Sequence, residues 1–115
     1  MPTTNFPGGL GVRFATGTAT AGAVTLSAQA GRVTTEALTT AQNGIYTLTI
    51  TNTKIGANDM VLVRVQNGTN TQGTPMMGLV TPAAGSVVIQ VINKHATAEA
   101  LNGTLVVSFV VIKSI

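Results

Sequence analysis

The chain has 115 residues, of which 8% are charged, 3% are aromatic and 44% are apolar, with no Cys, no Trp and a single His. Six Lys and Arg against three acids give a net charge of +3, a pI near 10.0 and a mean hydropathy of +0.41. A chain so poor in nucleophilic, titratable and metal-ligating side chains is expected to be no enzyme and to hold no cofactor or metal, and a disulfide scaffold is excluded outright. The length suits one domain with a real core.

Residues 1–11 hold two prolines and three glycines with little periodicity, and read as an extended N-terminal arm in which Phe6 and Leu10 offer apolar surface. They show neither a basic start nor an apolar stretch of the kind that targets a chain for export. Residues 12–115 then read as one β domain. Weak strands are expected at Val12 to Ala15, Ala23 to Ala28 and Arg32 to Leu38, rich in Ala, Thr and Gly and dependent on pairing with the stronger second half.

That half opens at the turn Asn43-Gly44. Alternation then predicts strands at Ile45 to Thr51, with Tyr46, Leu48 and Ile50 on one face, and at Met60 to Gln66, with Val61, Val63 and Val65 together. The polar loop Asn67 to Pro75 is placed as a loop that either recognises something or merely connects. Met76 to Val80 resumes apolar character before the turn at Pro82 to Gly85, and Val87 to Asn93 alternates again. After Asn102-Gly103 comes Thr104 to Ile112, apolar on both faces, which in an antiparallel sandwich implies that something covers its outer face: the chain's own first half, or another molecule.

Eight short strands without a periodic helix predict an all-β fold, a single β-sandwich of jelly-roll or Greek-key type with the arm extending from it. Ala96 to Leu101 is the one short helical candidate. No run approaches the ~20 residues of a membrane-spanning helix, so no membrane partner is expected. Arg13, Arg32, Lys54, Arg64, Lys94 and Lys113 are dispersed and not interleaved with aromatics, so no nucleic acid is expected either.

Lone His95, Asp59, Glu36 and Glu99 are the residues from which a catalytic site would have to be assembled, and their spacing points to none. Asn67-Gly68-Thr69 and Asn102-Gly103-Thr104 match a glycosylation acceptor pattern but read better as Asn-Gly turns at positive φ. Gly8-Gly9-Leu10-Gly11 lacks the strand and helix of a phosphate-binding loop.

Several segments together resemble the small β-sandwich virion proteins of tailed bacteriophages, capsid decoration (cement) proteins among them. They are the run 32–40 (RVTTEALTT), Tyr46 to Asn52, Val65 to Thr71, Val80 to Ile89 and Ala100 to Leu105. The resemblance spans about residues 30–112, rests on strand and turn residues, and carries over no active site. It implies a protein made in the bacterial host cytoplasm that sits on the outer surface of the virion and clamps the major capsid protein lattice, often as a homotrimer, with a dimer as the other option.

On that implication the arm, Phe6, Leu10 and Arg13, is the expected shell contact. The outer face of the last strand, Val106, Val110 and Ile112, is the expected seam between copies. The alternative is a tail or head-fibre domain that binds a receptor or carbohydrate, for which Tyr46 is the one candidate sugar platform.

Overall fold

The computed structural model describes residues 13–114. Phe6 and Leu10 of the expected arm lie outside the described residues. Among the described residues there are eight strands: β1 (Ala15–Thr18), β2 (Ala23–Thr25), β3 (Ala30–Thr34), β4 (Ile45–Thr51), β5 (Met60–Asn67), β6 (Pro75–Ala83), β7 (Ser86–Asn93) and β8 (Leu105–Ile112). They form two four-stranded sheets, β1-β3-β8-β5 and β2-β4-β7-β6, packed face to face.

The inward sets of the alternating strands meet between the sheets. Leu105, Val107, Phe109 and Val111 of β8 face Leu48 and Ile50 of β4 and Val87, Ile89 and Val91 of β7, all essentially inaccessible to solvent. Truncating a side chain such as Phe109 in this layer costs about 3–5 kcal/mol. The sandwich is therefore held by its centre, where β8 and β7 each pair on both sides in antiparallel register.

The edges depart from the antiparallel expectation. β1 runs parallel to β3, and β2 runs parallel to β4. The tight turn joining β1 to β2, closed by reciprocal backbone bonds between Thr20 and Ala23, carries the chain from one sheet to the other. Each short strand must then add to its sheet's edge in the direction the turn imposes. The weakly hydrophobic first half thus extends the sheets sideways, and its strands do not lie over the outer face of β8. Self-covering by the first half, one of the two expectations for that face, does not occur among the described residues.

Four boundaries also differ. β2 stops at Thr25, short of the expected Ala28. β1 starts at Ala15, so only one residue of the expected Val12 to Ala15 strand belongs to it. β3 ends at Thr34 because Thr35 Oγ1 accepts the Leu105 amide at 2.9 Å, replacing a ladder bond, after which Leu38 rejoins through its amide to the Gly103 carbonyl. β6 runs past Val80 to Ala83 with an irregularity between Met77 and Val80. Pro82 is tolerated there because β6 is an edge strand and Pro needs no partner on its open side.

Candidate functional site

Loops at one end of the sandwich are tied by buried asparagines. Asn93, fully buried at the end of β7, donates from Nδ2 to the carbonyls of Thr40 at 3.0 Å and Glu99 at 2.7 Å, and its Oδ1 accepts the amides of Thr74 at 3.0 Å and His95 at 3.2 Å. Asn70 joins Asn67, Gln72 and Asn102 in the same way. The polar loop between β5 and β6 is therefore bound down at Asn70, Gly73 and Thr74.

The two Asn-Gly-Thr segments meet in space. Thr69 and Thr104 exchange amide-to-hydroxyl bonds of 2.9 Å each, with their hydroxyls 3.2 Å apart. Neither Asn-Gly pair adopts the positive φ expected of it; among these turns only Asn43 does. The glycines serve close approach instead: a Cβ on Gly103 would stand 2.7 Å from the Asn70 amide nitrogen. Gly68 is crowded in the same way by Thr104.

His95 lies in this end as well. Its Nδ1 is 3.0 Å from Thr74 Oγ1, and its Nε2 is 3.6 Å from Glu99 Oε1, which also accepts the Gly73 amide at 2.7 Å. The order hydroxyl, imidazole, carboxylate is that of a proton relay, but the carboxylate also holds the Gly73 amide and the three together clip the β7–β8 connection to the β5–β6 loop. The expected helical piece at Ala96 to Leu101 is irregular chain within that clip.

Asp59 lies at the opposite end and meets neither His95 nor Glu99. It accepts Lys113 Nζ at 2.6 Å, the Gly56 amide at 2.7 Å and the Ser114 amide at 2.9 Å. Those donors, Lys113 foremost, hold its carboxyl down at about 2. Tyr46 faces the core with its hydroxyl donating to Glu36 at 2.8 Å. Burial first, and then the Glu36 carboxylate, push its phenol far above the usual range. Buried in this way, Tyr46 offers no exposed ring for a sugar to stack on. No group of three or more His, Cys, Asp or Glu able to hold a metal occurs among the described residues.

The outer face of the β1-β3-β8-β5 sheet combines exposed apolar side chains with a groove. Met60 and Leu62 of β5 and Ile112 of β8 are 60%, 52% and 46% exposed; Val106, Ser108 and Val110 between them are half-buried. Strand register arranges this face in rows. Ala30, Val110 and Leu62 stand side by side, then Arg32, Ser108 and Arg64, then Thr34, Val106 and Gln66. An open groove of about 290 Å³ runs over the middle row, walled by Phe14 and Arg32 on one side and by Leu62, Arg64 and Gln66 on the other.

The outer face of the second sheet carries Thr47, Thr49, Thr51 and Gln90 together with Val88 and an apolar set at one end, of which Ile45, Met76 and Leu79 are 54%, 51% and 64% exposed, but no groove with paired arginines is formed there among the described residues. The expected seam residues Val106, Val110 and Ile112 thus share the grooved face with two arginines. Arg13, from the expected arm, is exposed and adjoins the groove wall residue Phe14. Sequence reasoning missed the groove because Arg32, Ser108 and Arg64 become neighbours only through strand order.

No family model matches the chain, and neither a curated protein nor a solved structure matches it.

Proposed function

We propose that the protein is a structural binding module that docks by the outer face of the β1-β3-β8-β5 sheet on another protein, and that it serves as a capsid decoration protein on the outside of a phage head. The observation that carries the reading is that face: exposed Met60, Leu62 and Ile112 around a groove, on a sheet braced from behind by the core. Exposed apolar side chains flanking a groove on a rigid scaffold are characteristic of interaction sites. The phage assignment itself comes from the resemblance of the strand and turn segments.

Val106, Val110 and Ile112 are reassigned here from a seam between copies to the contact with the shell. A twofold packing of this face on itself would bring the arginines of one copy against those of the other, away from water and without an acid between them, which is costly. The arm, through Phe6, Leu10 and Arg13, is proposed to extend the same contact. The wrapping that places consecutive strands in opposite sheets, except for the β6–β7 hairpin, is proposed to be of Greek-key or jelly-roll kind, modified by the parallel edges.

Many copies that bind only the assembled shell stabilise it by mass action, even where each contact is modest. Burial of apolar area resists salt better than surface ion pairs do. Cosedimentation with phage shells lacking the protein tests the reading: saturable binding at a fixed ratio to the major capsid protein is expected. Binding to host surface glycans without binding to shells would favour the tail or head-fibre reading instead.

A further inference from the structure

The geometry points to the trench over Ser108, between Arg32 and Arg64, as a receptor site for a carboxylate side chain carried by an extended segment of a partner protein; this rests on the reading of the grooved sheet face as the docking surface. Arg32 and Arg64 are each the direct cross-strand neighbour of Ser108. Because adjacent strands lie 4.7–4.9 Å apart, the two arginine backbones stand about 10 Å apart across β8. Two guanidinium forks therefore flank a narrow lane with a hydroxyl on its floor. Arg32 is steadied by the Phe14 ring, whose centroid is 5.2 Å from the guanidinium carbon.

Among the described residues both guanidiniums are without a counter-charge. The chain has three acids in all, and each is engaged elsewhere: Asp59 with Lys113, Glu99 with His95 and the Gly73 amide, Glu36 with Tyr46. Residues 1–12 contain no acid. Arg32 and Arg64 form no ion pair among the described residues. A second copy offers the same engaged acids and the same two arginines, so the carboxylate is supplied by a different protein.

The surroundings select a peptide rather than a nucleic acid. Leu62 and Val110 beside the trench, and Val106 beyond it, give apolar footing on both sides of the central charge, as the flanking residues of an extended segment require. A phosphodiester backbone needs cations repeated along a track. Here Arg13 beside Phe14 is the one further cation adjoining the groove among the described residues, while Lys113 is held by Asp59 and Lys94 lies against Asn43 at one end, away from it. Arginine forks bind a carboxylate bidentately, which fixes direction as well as adding affinity.

The test is an NMR titration of the full chain with the peptide acetyl-Thr-Val-Glu-Val-Thr-amide, its Gln counterpart, and inorganic phosphate as a separate probe. The Glu peptide is expected to shift the Arg32 and Arg64 side-chain signals and the Ser108 amide saturably. The Gln peptide, and the Glu peptide on R32Q or R64Q, should bind about tenfold more weakly, since one charge-assisted hydrogen-bonded pair is worth about that factor. Both arginines are exposed, so the variants should unfold at the wild-type temperature. Equal binding of the Gln peptide, equal response to phosphate, or no shift at these residues would overturn the proposal. Shell cosedimentation separates the two levels. Shells bound equally well by R32Q and R64Q remove the carboxylate site and leave the docking function standing, whereas peptide binding without shell binding does the reverse.

Discussion

Replacing Asn93 by Ala should be among the most destabilising single changes outside the apolar core. The side chain is fully buried and makes four hydrogen bonds, two donated to the Thr40 and Glu99 carbonyls and two accepted from the Thr74 and His95 amides. Truncation orphans the Glu99 carbonyl and the Thr74 and His95 amides, each costing about 1–3 kcal/mol if it stays dry, while the Thr40 carbonyl keeps the Leu101 amide at 2.9 Å. Thr74 is exposed and Thr40, His95 and Glu99 are half-buried, so water recovers part of that. A net loss of about 3–5 kcal/mol is expected, a large share of the 5–15 kcal/mol typical of a whole domain. Urea unfolding followed by circular dichroism should show the midpoint falling with an unchanged slope, and Tm should drop by about 12–20 °C. Asn93→Asp should not rescue, since it keeps both acceptor bonds but turns a carboxylate toward two carbonyls. A loss under about 1 kcal/mol in N93A would refute the view that this one amide holds the loops together.

The remaining predictions concern pH and the docking face. Asp59 has its carboxyl held at about 2 in the folded protein, below its ordinary 3.8. Its contribution is therefore present above the higher value and is lost as pH falls from about 4 to about 2; Asp59→Asn should flatten that acid limb in a series of thermal melts. Deleting residues 2–11 should abolish shell binding in cosedimentation while Tm stays unchanged, and undiminished binding would dispose of the arm contact. Val110→Glu with Ile112→Glu should abolish shell binding and leave the elution volume of the free protein unchanged. Conversion of an oligomer to monomers would instead restore these residues to a seam between copies.

Much of the fold is legible in the sequence wherever a strand alternates. β4, β5, β7 and β8 lie within a residue of where Tyr46-Leu48-Ile50, Val61-Val63-Val65, Val87-Ile89-Val91 and Leu105-Val107-Phe109 put them. The parallel edges are not legible, because β1 and β2 consist of Ala, Thr, Gly and a single Val, which carry no mark of direction; the turn at Ala21-Gly22 sets it. Asn70 reads as loop polarity and Asn93 as a strand end, yet they are buried anchors that reach distant segments: Asn70 bonds Asn102, and Asn93 bonds Thr40 and Thr74. The candidate site was half visible. The double apolar face of β8 signalled an uncovered surface, but Arg32 and Arg64 look dispersed until β8 seats Ser108 between them.

Cosedimentation of the purified full chain with expanded phage shells lacking it, paired with light scattering of the free protein, tests the central claim most directly. The account predicts saturable binding at a fixed ratio to the major capsid protein, and the homotrimer implied by the resemblance would appear in the scattering mass. A well-folded protein that leaves the shells bare at saturating concentration would contradict it.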